Sequence, residues 1–319
     1  MKNQKTILIC GATGFIGRNL TEHYSKNNKV IAVYNKREPN YNHPNVKWIK
    51  ADLRNPEDIK DIFVGVDICL QFAATTTGAK DIVSKPYIHV TDNAVMNSLL
   101  MREAFHQGLK HFIFPSCTIM YQKSEIALKE TDFNPSDELQ SFYYGAGHTK
   151  IYLEKMCKFY SELSDIKYTV VRHSNLYGQH DKYDLDKSHV TGATITKVMT
   201  SEDGKINVWG TGEEKRDLLY IEDFIDFIDC AIKNQTEKYE LFNVGLGQGI
   251  KIKDLVSKVI KCSGKQLEII HDLSKPTVPT SLFLDCSYAK DKLGWEPKYT
   301  LEQGISNTLK WWNKEYGKN

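Results

Sequence analysis

Thr6 to Cys10 is a run of apolar β-formers that passes without a break into Gly11-Ala12-Thr13-Gly14-Phe15-Ile16-Gly17, and this junction limits what the chain can fold into more than any other stretch. A buried parallel strand that delivers the chain to a tight turn, followed by a helix from near Phe15, suits a dinucleotide pyrophosphate. Gly11 and Gly14 let the backbone approach phosphate, and the helix aims its N-terminal dipole and free N–H groups at the anion. No lysine of the triphosphate-binding kind follows the turn. The glycines alone also fit an ordinary strand–turn–helix joint; the strand before them and the helix after them favour cofactor binding.

Composition restricts the partners. At 319 residues, 41% hydrophobic and 26% charged, the chain can bury one large core or two smaller ones. Its net charge of +2 points to no particular partner, and there is no basic stripe with interleaved aromatics, so nucleic acid is not expected. The first apolar run is too short for a signal segment and no stretch has membrane-spanning length, so the expectation is a cytoplasmic protein with no membrane partner. Seven scattered cysteines without a C-x-x-C pair predict reduced thiols, no disulfide framework and no metal site.

Beyond the glycine turn the hydrophobic period alternates between helix and strand. A helix is expected to about Lys26, then strands at Lys29 to Tyr34, Val46 to Ile49, Asp67 to Phe72, Phe112 to Ser116 and Tyr168 to Arg172. Asn55-Pro56-Glu57-Asp58 has the proline and acids of a helix start. Strands separated by helical segments imply an α/β, doubly wound parallel sheet with ligand at the carboxyl ends of its strands. From Asn175 the rhythm becomes irregular, which predicts a dinucleotide-binding domain over 1–174 and a mainly substrate-binding lobe over 175–319, with about 217–245 returning to the first domain.

The residues that close these strands carry a resemblance. GATGFIG (11–17), Ala51-Asp52-Leu53, Phe72-Ala73-Ala74, Pro115-Ser116-Cys117-Thr118 before Tyr121, Lys150, the run Arg172 to Gly178, Arg216-Asp217, Asn243-Val244-Gly245 and Leu293 to Pro297 follow in an order similar to the extended short-chain dehydrogenase/reductase family. Its members are NAD-dependent nucleotide-sugar epimerases, dehydratases and ketoreductases with a Rossmann-type sheet and a smaller C-terminal substrate lobe. Asn175-Leu176-Tyr177-Gly178 with His180-Asp181, Ser188-His189-Val190 and Val208 to Gly212 is most similar to the GDP-fucose synthase branch.

The resemblance implies that the turn residues Gly11, Thr13, Gly14, Phe15, Ile16 and Gly17 hold the pyrophosphate, that Asp52 and Leu53 face the adenine, and that Phe72, Ala73, Ala74, Asn93, Ser116, Lys150 and His173 line the rest of the cofactor. Asn175, His189, Val190, Lys197, Trp209 and Arg216 would face a nucleotide sugar, since a planar guanidinium grips a diphosphate at two points. Arg216 and His189 also fit blander roles, as a salt-bridged arginine and a satisfied core histidine. At the end of the second strand, where an acid would take the ribose 2′-hydroxyl of NAD, the chain reads Tyr34-Asn35-Lys36-Arg37. Two cations there can meet a 2′-phosphate or form a solvated loop, a slight lean toward NADP over NAD. By analogy with relatives a homodimer or higher homo-oligomer is expected.

The chain departs from the family at the catalytic centre. A tyrosine one helical turn before the lysine is expected, with its pKa lowered from about 10 so that it exchanges a proton with the sugar hydroxyl. Four residues before Lys150 stands Ala146. Tyr143 and Tyr144 begin about 10 Å along the axis from Lys150 in a continuous helix and do not simply inherit the site. The alanine is either an engineered replacement, a native residue with another group moving the proton, or a mark of lost catalysis. Cys117, Thr118, His148, His189 and Tyr144 are the candidate substitutes; Cys117 also fits a small buried hydrophobe. Flanking Gly145 and Gly147 favour a native, tyrosine-less oxidoreductase with a reshaped helix start, in which Lys150, Thr118 and Cys117 carry the chemistry. Ile119 occupies the place where the branch has its epimerising cysteine, so oxidation or reduction at C4 of a GDP-hexose or GDP-heptose is favoured over double epimerisation. A dehydratase would need an Asp-Glu pair after the strand-end threonine, and the chain has none there. The reading from another class is a cofactor-binding protein without catalysis.

Overall fold

The computed structural model describes residues 4–76, 84–185, 188–275 and 281–317. Seven strands form one fully parallel sheet: β1 (Thr6–Cys10), β2 (Lys29–Tyr34), β3 (Val46–Lys50), β4 (Ile68–Gln71), β5 (His111–Pro115), β6 (Lys167–His173) and, after an excursion of the chain, β11 (Tyr239–Val244). In space they run β11-β6-β5-β4-β1-β2-β3. The expected strands are all present, with ends moved by a residue or so; proline at 115 closes β5. The doubly wound parallel sheet read from the sequence is the fold of the chain.

Alternation along the central strand shows why the sheet forms. Ile7 and Ile9 enter one apolar cluster, and Leu8 and Cys10 enter the other, so both faces of β1 are covered and the whole strand reads as apolar. On the first face lie α1 (Phe15–Ser25), through Leu20 and Tyr24, and α6 (Ile221–Asn234), through Phe224 and Phe227. On the second lie α3 (Thr91–Gln107), through Leu100, Met101 and Ala104, and α4 (Tyr144–Leu163), through Leu153 and Cys157. The short α2 (Pro56–Ile59) is capped by Asn55, which accepts from the Glu57 N–H.

The first cluster continues into the rest of the chain through Tyr177, Tyr220, Leu255 and Leu301. There β7 (Asn175–Tyr177) pairs with β10 (Leu218–Tyr220), β8 (Lys205–Trp209) with β13 (Glu268–Asp272), and β9 (Lys215–Arg216) with β12 (Ile250–Lys251). Helices α5 (Val190–Thr200), α7 (Ile252–Ser263), α8 (Ser287–Leu293) and α9 (Leu301–Tyr316) complete this part. Because β1 pairs with β2 on one side and β4 on the other, the order reverses at β1 and opens a crevice at its carboxyl end. Gly11 stands there.

Candidate active site

The turn after β1 is shaped by close approach. Gly11 has φ +70°, and a Cβ on it would lie 2.7 Å from Ala73 Cα and 2.8 Å from Phe72 O, so the turn and the end of β4 touch through backbone alone. The Gly14 N–H donates to Gly11 O at 2.9 Å, and a Cβ on Gly17 would overlap Gly11 O. Helix α1 then begins with no side chain capping its N-terminus and no acid in its first turn. Its leading N–H groups and the concavity over Gly11 fit a pyrophosphate.

Around this turn the predicted cofactor residues fall into two groups. Arg37 donates from Nη1 to Thr13 O at 3.1 Å, which brings a cation from the end of β2 against the glycine turn; Lys36 is exposed. Asp52 accepts from Asn35 and, at 2.9 and 2.6 Å, from Arg54, whose guanidinium pulls the carboxyl down to about 2. Asp52 is thus an anion held by protein, with Leu53 buried beside it. Asn93 accepts from the Thr75 N–H at 2.9 Å and donates to Thr75 O and His89 O, so its amide holds the segment after Ala73 and Ala74 in place.

Under the ends of β5 and β6, α4 supplies Lys150. Its ammonium donates to Pro115 O at 2.6 Å and stands 4.8 Å from the centre of the Phe114 ring, with burial lowering its pKa. One turn on, Glu154 binds Arg172 and accepts from Ser116 Oγ at 2.5 Å. Arg172 donates to the Tyr121 hydroxyl at 2.9 Å, which donates to Asn243 Oδ1 at 2.8 Å. This network anchors the strand-end segment: the Ser116 hydroxyl donates to Glu154 and its side chain is buried. His173 is bound through Nδ1 to Ser174 O at 2.8 Å, and burial takes its imidazole down to about 4, so the ring is neutral near pH 7.

The substitutes considered for the missing tyrosine do not share one environment. Burial pushes the Cys117 thiol up despite the pull of Lys150, which keeps the thiol protonated rather than tuned toward thiolate. Thr118 accepts the Tyr121 N–H through its carbonyl. Tyr144 is 60% exposed and meets His148, also exposed, edge-on at 4.5 Å. His189 flanks α5 at its N-cap, with desolvation lowering its basicity.

Tyr143 is the residue that sequence reasoning set aside. It closes a 3₁₀ turn (Ser141–Tyr143) ahead of α4, is partly buried, and has as electrostatic neighbours Arg216 and Cys117. The signal in the sequence was its spacing: seven residues from Lys150, it returns to the same helix face.

Among the predicted sugar-facing residues, Arg216 on β9 acts electrostatically on Tyr143, and Asn175 donates to the carbonyl of Asp217, the residue after Arg216, at 3.2 Å. Lys197 and Trp209 pair with each other, the ammonium 5.6 Å from the ring centre and bonded to Asn207 O at 2.9 Å. Val190 opens α5 beside His189.

A family model described as "NAD dependent epimerase/dehydratase family" matches residues 7–245. The chain belongs to that family. Among curated relatives it is 28% identical to the GDP-L-colitose synthase of Yersinia pseudotuberculosis, with 97% of this chain and 98% of the relative covered. It is 26% identical to a GDP-L-fucose synthase of Azorhizobium caulinodans, covering 98% and 97%. The UDP-glucose 4-epimerase of Thermotoga maritima, solved with UDP-glucose, superposes with a TM-score of 0.85 over 97% of this chain and 99% of that one at 24% identity, and shows the same fold. Among the described residues no helix is long and apolar enough to cross a membrane.

Proposed function

We propose that the protein is an NAD(P)-dependent oxidoreductase acting at C4 of a GDP-linked hexose or heptose, as a dehydrogenase or 4-ketoreductase in the making of a surface polysaccharide. The observation that supports this reading is Lys150: its ammonium, bonded to Pro115 O at 2.6 Å, stands at the carboxyl end of β5, on the same edge of the parallel sheet as the glycine turn after β1. Ile119, where the branch has a proton-carrying cysteine, argues against epimerisation. The GDP-sugar relatives support the nucleotide.

When bound, NAD(P) supplies a ring that takes or gives hydride. The chain's own residues do the rest. Gly11, Gly14, Gly17 and the start of α1 hold the pyrophosphate, and Arg37 beside Thr13 favours a 2′-phosphate. Lys150 binds the ribose and places a positive charge near the reacting oxygen, with Thr118 and the protonated Cys117 as hydrogen-bond partners for that oxygen. Arg216 takes the sugar diphosphate, and His189 and Asn175 bound the sugar. Exposed Val95, Tyr152, Phe159 and Leu163 on α3 and α4 support a homodimer through these helices, in a cytoplasmic enzyme.

The test follows the absorbance of reduced nicotinamide while purified protein is given GDP-sugars with NAD or NADP. Turnover of a GDP-sugar without loss of C3 or C5 hydrogen to solvent deuterium upholds the proposal. Cofactor binding with no turnover of any sugar would replace it with a binding protein, the reading that Ala146 favours.

A further inference from the structure

We propose that Tyr143 carries the proton which a side chain at Ala146 cannot, exchanging it with the C4 oxygen of the sugar. This rests on the oxidoreductase reading above. In the oxidative direction the C4–H bond breaks with its electron pair going to the oxidised nicotinamide. The O–H bond at C4 breaks with its proton going to the Tyr143 phenolate, and a C4 carbonyl forms. Reduction returns the same hydride and proton, and no further reagent is needed.

Three observations place the phenol. First, α4 begins at Tyr144, and Tyr143 stands just ahead of it at the end of a 3₁₀ turn, with φ −101° and ψ −5°. Seven residues make two helical turns less about 20°, so Tyr143 leaves the helix on the side of Lys150. It is about 4.5 Å farther along the axis than Ala146. Second, its electrostatic neighbours come from both sides of the cleft: Cys117 from the segment after β5, which also neighbours Lys150, and Arg216 from β9. The phenol thus feels the arginine assigned to the diphosphate and a thiol that also acts on Lys150. Third, the other tyrosines nearby are disqualified. Tyr144 is exposed on the outer surface, and the Tyr121 hydroxyl is held between Arg172 and Asn243, with its pKa pushed up to about 12.

Burial raises the Tyr143 phenol above its ordinary value, Arg216 opposes that rise and Cys117 adds to it, so the phenol needs the positive ring of an oxidised cofactor to bring it down. Gly145 and Gly147 let the first turn of α4 seat closely, since a Cβ on them would lie 2.7 Å from Val90 Cγ2 and 2.5 Å from Leu139 Cδ1.

The experiment compares wild type, Tyr143→Phe and Tyr144→Phe by steady-state kinetics and by ultraviolet titration of tyrosinate with oxidised cofactor bound and no sugar present. Tyr143→Phe is expected to lower kcat roughly 10²- to 10⁴-fold with reduced-cofactor binding retained, and to remove the tyrosine that ionises first in wild type. An unchanged kcat and an unchanged titration in Tyr143→Phe overturn the proposal, as does the same loss appearing in Tyr144→Phe instead. Wild-type protein that turns over no nucleotide sugar refutes the oxidoreductase reading; the titration, which uses no sugar, still decides whether Tyr143 is the responsive phenol. Thermal melts confirm that each variant is folded.

Discussion

Glu154 and Arg172 meet as a two-point ion pair between α4 and β6, at 2.7 Å from Nη2 to Oε2 and 3.0 Å from Nε to Oε1, with both side chains almost wholly out of solvent. Removing one partner of such a pair strands a charge in the interior. Glu154→Ala is expected to destabilise the fold by about 3–5 kcal/mol in urea unfolding. It also takes the acceptor from Ser116 and loosens the turn that carries Lys150, so cofactor affinity should fall with stability. A stability loss under about 1 kcal/mol would mean that the pair is not closed in solution.

Gly17→Ala tests the glycine turn. The added methyl would overlap Gly11 O, a backbone atom that cannot swing aside as a side chain can. A loss of about 1–3 kcal/mol is expected in thermal unfolding, together with loss of measurable pyridine-nucleotide binding. Gly65→Ala is the comparison: no heavy atom stands within 4 Å of a Cβ there, but φ is +72°, so it should cost stability without affecting the cofactor.

Arg37→Ala addresses cofactor choice. Under the proposed NADP reading the Arg37 guanidinium, bonded to Thr13 O, would meet the 2′-phosphate, and a charge-assisted bond is worth about 1.5–3 kcal/mol. NADP affinity should drop roughly 10- to 100-fold in fluorescence titration while NAD affinity stays nearly level. Equal weakening of both would return Arg37 to the role of a loop residue.

Asp181 gives a pH dependence with a definite sign. Its Oδ1 accepts the Lys182 N–H at 2.7 Å, its Oδ2 has no hydrogen-bond partner among the described residues, and burial pushes the carboxyl up to about 7. The folded state then binds a proton that the unfolded state has released, so stability falls as pH rises from about 4 to about 7. Asp181→Asn keeps an acceptor and removes the titration. Its stability relative to wild type should rise across that window by at most about 1.4 kcal/mol per pH unit and level off above it. A difference that does not vary with pH would show that Asp181 is charged throughout.

The local parts of the fold and site were legible because their causes are local. The strand Thr6–Cys10 and the turn at Gly11 follow from neighbouring residues, and the helix cap at Asn55 from a two-residue reach. Side-chain direction was not legible. Ser116 and Cys117 are adjacent, yet the first turns inward to Glu154 while the second lies beside Lys150, a difference set by what α4 presents to each. Tyr143 and Tyr144 looked alike as outliers of the Lys150 helix, and only the point at which the 3₁₀ turn becomes α-helix separates the partly buried ring from the exposed one.

The sequence by itself determined the parallel alternation, the glycine cradle and the absence of a tyrosine one turn before Lys150, because apolar period and residue spacing act over a few residues. Tertiary structure alone decided that Arg172 meets Glu154, that burial holds the Cys117 thiol protonated, and that the charge of Arg216 acts on the phenol of Tyr143. Those outcomes depend on segments far apart in the chain, whose charges interact strongly only once packing has removed the water between them.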